Sequence, residues 1–326
     1  MRRQSELCTS IIQQAKNGAK VISRTMDWNQ LVDSPVFIPK DYEWKSAYDN
    51  RLIKNSYSII GAGHRLFDEI DLSDGINQWG LAVQKLTFKN GTNYPEYSKN
   101  GKINLAPFEL PLYLLGNFRS VEEIERKISD FYLLDDQFAQ RKYKHLELYY
   151  ILIDRTGKTI LLQPSGQPMR IFNNPLGIAT NTFNFEQQLG RLKAYLDLKP
   201  DFENNKLEKF TSRISSGSFN GKKTPPGSYT PSGRLFRAAY YKERIDLAAS
   251  EKQALNNCWR LLDSVTVPKS SKYQPTYSVY RSAACLSSLT YYFEDYYSFN
   301  PIKINLNKEA SMNSSVKFYT CDSSVR

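Results

Sequence analysis

The chain has 326 residues, 40% of them apolar and 13% aromatic, enough for one large domain or two small ones and too apolar for extended disorder. Forty-four basic residues against 33 acidic give a formal charge of +11, but the bases are interleaved with acids and never run to five, which argues against a nucleic-acid footprint. No apolar run approaches the roughly 20 residues that a membrane-spanning helix needs.

Residues Met1 to Leu7 begin with two arginines but have no apolar core, so they are not a complete signal peptide. A cytoplasmic location is the expectation, or a periplasmic one if sequence upstream is missing. Next comes a hairpin: Cys8 to Gln14 reads as a strand, Asn17-Gly18 as a two-residue turn, and Lys20 to Met26 as the returning strand. With Asn17 and Gly18 at the centre of the turn, paired positions sum to 35 and Cys8 faces Asp27. Strict alternation then sends Arg24 to the other face, so a bulge or the strand end must reorient it to serve the same site.

Further strands are predicted at Ser56 to Gly61, Gly80 to Phe88, Leu146 to Ile153, Lys158 to Leu162 and Gly177 to Thr180, with a late hairpin of Tyr277 to Ala284 and Leu289 to Phe293. Between them, Ser120-Val-Glu-Glu123 and Ser250-Glu-Lys-Gln253 are capping boxes that open helices. Phe185, Leu189, Leu192 and Leu196 recur at helical spacing, and Arg234 to Tyr241 reads as another helix. Ala254, Cys258, Leu261 and Val265 form an apolar helical stripe, which makes Cys258 a core residue. Long polar loops fall at about 89–105 and 197–233. Helices grouped between antiparallel strands indicate a layered α+β domain.

The chemistry is constrained by what is scarce. The cysteines, Cys8, Cys258, Cys285 and Cys321, have no CxxC spacing, so neither a zinc site nor a disulfide framework is expected. His64 and His145 are the only histidines, and neither has a visible nucleophile beside it. His145 reads as a solvated loop residue. A hydrolase built on this chain must take its base from elsewhere, and an α-amino group qualifies: it titrates near 7.7–8.0, close to a thiol. Cys8 meets that condition once Met1 to Leu7 are removed.

Cys8-Thr9-Ser10 followed by Ser23-Arg24-Thr25-Met26-Asp27-Trp28 resembles the opening of the choloylglycine hydrolases, the family of bile salt hydrolases and penicillin V acylases. The likeness continues through Asp74 to Leu81, Glu109 to Leu112, Asn117 to Ser120, Thr180-Asn181 and Arg234 to Arg237, and on to the Tyr-rich strands near 277–293. It covers nearly all of the chain after residue 7. The resemblance implies a four-layer αββα sandwich of the N-terminal-nucleophile hydrolase type, with 1–7 a leader and 8–326 one amidase domain.

It also implies roles. Cys8 matches the nucleophile, Arg24 a guanidinium near its sulfur, Asp27 the acid that holds the α-amine, and Asn181 the oxyanion donor. Arg234 matches a late active-site arginine. Thr87 stands where bile salt hydrolases tend to carry asparagine and many penicillin V acylases tyrosine; its backbone N–H still suits an oxyanion hole, but the side chain does not choose between the two activities. The implied substrate is a small amphipathic N-acyl amide, a conjugated bile salt first, with penicillin V and N-acyl homoserine lactones as alternatives. No metal, cofactor or nucleic acid is expected. The long stretch before Arg234 resembles an assembly insertion, which implies a homotetramer. The reading from another class is a non-catalytic binder of an amphipathic ligand that keeps residues 1–7.

Overall fold

The computed structural model describes residues 7–320 apart from 49–50, 68, 136–145, 182–183, 197–226 and 273–275. Its first feature corrects the expected hairpin. Strands β1 (Leu7–Gln14) and β2 (Lys20–Trp28) pair with Cys8 opposite Met26 and Ser10 opposite Arg24. The Ala15 N–H donates to the Ala19 carbonyl at 2.8 Å, so Lys16, Asn17 and Gly18 form a three-residue loop. Gly18 closes it at φ +83°, a left-handed conformation that glycine adopts without a Cβ penalty. Paired positions therefore sum to 34, and Cys8 does not face Asp27. The one-residue shift puts Arg24 on the same face as Cys8 and Asp27 on the opposite face. No bulge is needed to bring Arg24 to the cysteine.

Strands β3 (Ser34–Ile38), β4 (Glu43–Lys45) and β5 (Leu52–Lys54) follow, then the meander β6 (Ile59–Leu66), β7 (Glu69–Asn77) and β8 (Ala82–Thr87). Thus the strand expected at 56–61 starts later and runs longer. Next are β9 (Ile103–Leu105), which cuts into the loop expected at 89–105, α1 (Leu110–Asn117), α2 (Val121–Lys127) and β10 (Phe131–Leu133). The chain continues through β11 (Leu148–Ile153), β12 (Thr159–Gln163), β13 (Arg170–Asn173), β14 (Ile178–Thr180) and α3 (Phe185–Leu196). It closes with α4 (Pro231–Arg244), α5 (Glu251–Asp263), β15 (Tyr277–Cys285), β16 (Thr290–Asp295), β17 (Ile302–Asn305), α6 (Leu306–Met312) and β18 (Lys317–Phe318).

The capping residues act where the sequence placed them. Ser120 accepts from the Glu123 N–H and Ser250 from the Gln253 N–H. Thr230 caps α4 with Pro231 in its first turn, so the long loop ends three residues before the expected 233. The rest of that loop, from 197 to 226, lies outside the described residues, as do His145 and Cys321.

Two sheets form the middle layers. One has six strands in the order β14-β1-β2-β15-β16-β17, the other eight in the order β13-β12-β11-β8-β7-β6-β3-β18. Ile12 and Ile22 of the first share a core with Ile60, Leu86 and Tyr149 of the second. Outside the larger sheet, Leu110 and Leu114 of α1 pack on Val83 and Tyr150. Beyond the smaller, Leu235 of α4 and Leu261 of α5 pack on Ile11 and Ile178. The predicted four-layer α+β sandwich is the fold observed, and the Cys258 stripe is buried as expected.

One irregularity shapes the site. Strands β7 and β8 pair only at Asp74–Gln84, Gly75–Val83 and Ile76–Ala82. The β6–β7 register slips between Ala62 and Gly63, leaving Ser73 without an opposite number, and the start of β7 follows β6 instead of β8. The sheet is open between Asp71 and Ser73 on one side and Lys85 and Thr87 on the other.

Candidate active site

Cys8 is 3% exposed at the start of β1, the second strand of the smaller sheet. The β1–β14 register, with Thr9 opposite Thr180, brings Asn181 next to Cys8. The Asn181 Oδ1 accepts from the Cys8 backbone N–H and, at 2.9 Å, from Arg234 Nη2. Arg234 projects from the first turn of α4; its Nη1 donates to the Cys8 carbonyl and to Thr9 Oγ1, both at 2.5 Å. The same nitrogen lies 3.7 Å from Asp27 Oδ2. Asp27 Oδ1 takes the Ser278 hydroxyl at 2.5 Å, whereas Oδ2 is buried with no hydrogen bond among the described residues. The structure thus gathers Asn181, Arg234 and Asp27 around the backbone of Cys8.

The sulfur has a separate set of neighbours. Met26 Sδ is 3.7 Å from Cys8 Sγ and 3.4 Å from Arg24 Nη2. Arg24 is fully buried and plugs the gap between β7 and β8: its Nη1 donates to the Ser73 carbonyl at 3.0 Å and the Lys85 carbonyl at 2.9 Å. Asp74 Oδ2 lies 3.6 Å from that Nη1. Asp74 is in turn held by the hydroxyls of Tyr280 at 2.8 Å, Ser282 at 3.0 Å and Tyr291. This carboxylate was part of a sequence motif without an assigned role.

Burial dominates the electrostatics, and the charges partly offset it. The Cys8 thiol is raised by burial, lowered by Arg24, raised again by Asp27 and lowered by Arg234. Burial lifts Asp27 to about 6 against the opposing pull of Arg234 and the Ser278 hydrogen bond. For Arg24, burial works against the charge, yet Tyr280, Cys8 and Asp74 outweigh it and raise its pKa. With Cys8 still an internal residue, its thiol is held neutral.

Thr87 ends β8 opposite Leu148. The neighbouring Phe88 N–H donates to Glu147 at 2.7 Å, so by strand alternation the Thr87 N–H faces away from β11, toward the gap that β7 leaves. Asn181 Nδ2 lies 3.2 Å from the Thr87 carbonyl. All six residues singled out in the sequence therefore converge within one neighbourhood.

A cavity of about 560 Å³ opens beside them, lined by Cys8, Arg24, Met26 and Thr87. Trp28, Phe67, Leu148 and Val279 give the lining apolar surface, Lys89 and Glu147 also line it, and a polar wall is made by Asp33, His64, Asp71 and Lys85. These four were missed in the sequence. His64 pairs with Asp33, Nδ1 to Oδ1 at 2.8 Å, because β3 and β6 align Ser34 with Gly63 and so bring the preceding and following residues together. Lys85 pairs with Asp71 across the β7–β8 gap. The strand alternation of Gly61-Ala-Gly-His64 was readable, but its partner 31 residues upstream was not. A larger groove of about 760 Å³, near Trp259 and Arg281, contains none of the six predicted residues. Among the described residues no cluster of His, Cys, Asp or Glu could hold a metal ion, and no helix is long and apolar enough to cross a membrane.

Comparison with known proteins decides the family. Residues 8–319 match the model of the linear amide C–N hydrolases, choloylglycine hydrolase family. The chain belongs to the choloylglycine hydrolase family. As a choloylglycine hydrolase it is an amidohydrolase acting on linear amide bonds. It is similar to a bile salt hydrolase/transferase of Clostridium perfringens, 25% identical over 325 residues that cover 96% of each chain. A penicillin V acylase of Pectobacterium atrosepticum is 23% identical over 88% of this chain and 77% of its own. Among solved structures, a mutant conjugated bile acid hydrolase from Clostridium perfringens superimposes with a TM-score of 0.79 at 23% identity, covering 97% of both chains. Penicillin V acylase from Agrobacterium tumefaciens gives 0.73 at 20% identity, covering 93% of this chain and 87% of that one. These two likenesses bear out the N-terminal-nucleophile hydrolase fold.

Proposed function

We propose that this choloylglycine hydrolase cleaves N-acyl amides with Cys8 as nucleophile and the Cys8 α-amine, freed by loss of Met1 to Leu7, as base. The observation that carries the proposal is where the buried polar groups are spent. Asn181 binds the Cys8 nitrogen, Arg234 binds its carbonyl, and Asp27 keeps one buried oxygen without a hydrogen bond on that side. A cysteine packed only as a small apolar residue has no use for such an arrangement, whose desolvation is costly. An α-ammonium gives Asp27 Oδ2 the donor it lacks, and the added positive charge draws the neighbouring thiol toward thiolate.

In this reading the amine takes the thiol proton and the sulfur attacks the amide carbonyl. The oxyanion accepts hydrogen bonds from the Thr87 N–H and Asn181 Nδ2. The carbon–nitrogen bond breaks as the ammonium protonates the leaving amine. Water, deprotonated by the amine, then hydrolyses the thioester, and the sulfur leaves as thiolate to regain its proton. The same sulfur attacks the Leu7 carbonyl, the Leu7–Cys8 carbon–nitrogen bond breaks to free the α-amine, and water hydrolyses the resulting thioester to release the leader. A conjugated bile salt is the first-choice substrate, supported by the names of the relatives and by a cavity with an apolar wall; penicillin V and acyl homoserine lactones are the alternatives. The homotetramer rests on family resemblance.

Intact mass and turnover test the proposal together. The wild-type chain is expected to lose Met1 to Leu7 and to release amine from at least one member of a panel of glycine- and taurine-conjugated bile salts, penicillin V and acyl homoserine lactones. Cys8→Ala is expected to retain the leader and to lose on the order of 10⁶ in kcat. Normal turnover by Cys8→Ala ends the nucleophile assignment, while a full-length wild-type chain inactive on every compound favours the binding protein.

A further inference from the structure

The polar wall of the cavity has no role in the chemistry just described. Asp33, His64, Asp71 and Lys85 all line it, yet each already has a partner within the set: His64 with Asp33 and Lys85 with Asp71. The His64 imidazole is raised by its Asp33 hydrogen bond against the effect of burial. Burial opposes the Asp33 charge, but the His64 bond outweighs it and holds the carboxyl below its ordinary value. The wall therefore holds two hydrogen-bonded acid–base pairs, built where β7 and β8 part.

Their hydrogen-bonding capacity is not used up. His64 Nδ1 is taken by Asp33, whereas Nε2 has no partner among the described residues and the side chain is 28% exposed. Lys85 Nζ carries three donors, of which the Asp71 contact uses one. Asp33 and Asp71 have side-chain exposures of 4% and 12%, and all four residues meet the water of the cavity they line. A plain alkyl or aryl acyl group filling the cavity displaces that water and returns no hydrogen bond, which is costly at charged groups. A fully charged ligand group competes with the existing Asp33–His64 and Asp71–Lys85 contacts and is itself desolvated. A neutral hydroxyl, which both donates and accepts, replaces the water and leaves both pairs in place.

We propose that His64, Asp33, Lys85 and Asp71 form a specificity subsite for a hydroxyl group on the acyl chain, away from the scissile carbonyl, with Trp28, Phe67, Leu148 and Val279 covering the chain's apolar side. The inference rests on the amidase reading of the same cavity. Its consequence is a choice among the alternative substrates: a phenoxyacetyl group has no hydroxyl to offer and is disfavoured.

The experiment varies only the acyl chain. Dodecanoylglycine is compared with monohydroxylated dodecanoylglycines carrying the hydroxyl at successive carbons, each scored by kcat/KM for glycine release. At least one hydroxylated compound is expected to exceed the parent by about tenfold or more, since a site that hydrogen-bonds a substrate hydroxyl rejects the analogue lacking it. That ratio is expected to fall toward unity in His64→Leu. The paired change Asp71→Asn with Lys85→Met removes both charges together and so leaves no orphaned ion; it is expected to act in the same direction. Near-ultraviolet circular dichroism confirms that each variant is folded before its ratio is read. Equal turnover of parent and hydroxylated compounds by the wild type overturns the subsite and leaves the amidase intact, as does a preference that survives in both folded variants. Failure to hydrolyse any compound here and in the earlier panel removes both readings.

Discussion

The two sheets meet at Cys8 and make opposite contributions to it. On the smaller sheet, unbroken pairing between β14, β1 and β2 fixes Asn181 and Asp27 against the Cys8 backbone, and Arg234 seals the group from above. On the larger sheet the relevant feature is a missing stretch of pairing, where β7 leaves β8 and Arg24 spans the opening through two backbone carbonyls. Regular register holds the proposed nucleophile, and irregular register opens the cavity beside it. The two regions are expected to respond differently to substitution: the first through turnover and maturation, the second through which acyl group is accepted.

The comparison is put under most strain by Asn181→Ala. It removes an acceptor for the Cys8 N–H and the proposed oxyanion donor, and is expected to lower kcat by about 100–1000-fold in a folded protein. Stopped assays that return near-wild-type kcat would move the oxyanion hole to other groups.

Asp27 offers a pH test of the smaller sheet. Its folded-state value of about 6 lies above the ordinary 3.8, so its contribution favours folding below about pH 4 and is lost as pH rises through about 6. The loss amounts to roughly 3 kcal/mol in the uncleaved chain, where no α-ammonium is present to offset it. Urea unfolding of Cys8→Ala across this range is expected to show that decline, and addition of Asp27→Asn to flatten it. An unchanged slope in the double variant would assign the titration to another group.

The smallest effect checks the register itself. Gly18→Ala meets open space but must hold φ +83°, so a loss of about 1 kcal/mol in unfolding free energy is expected from backbone strain alone. No loss would mean that the loop tolerates another conformation and that the pairing sum of 34 is not enforced by the turn.

These differences explain what the sequence disclosed. The layers were legible because each element announces itself locally: Ser120 and Ser250 cap where their boxes stand, and the Cys258 stripe packs inward. The hairpin was legible in kind but not in length, because Asn17-Gly18 serves a two-residue turn or the last two positions of a three-residue one. That single residue decided whether Cys8 faces Asp27 or Met26, and placed Arg24 on the opposite face from the one expected. The convergence of Arg234 and Asn181 came from family resemblance, since no local rule joins positions 53 residues apart. The polar wall was illegible for a deeper reason: Asp33 and His64, or Asp71 and Lys85, become neighbours only through strand alignment and a slip in it.

The reach of Arg234 has a consequence for timing. The residue that grips the Cys8 carbonyl enters the chain 226 positions later, from a helix with its own cap at Thr230. A ribosome-bound chain that has not yet delivered that helix holds an unfinished cleft, and the proposed self-trimming has to wait for it. Under the proposed maturation, polypeptides that end before α4 are expected to keep residues 1–7 and stay silent.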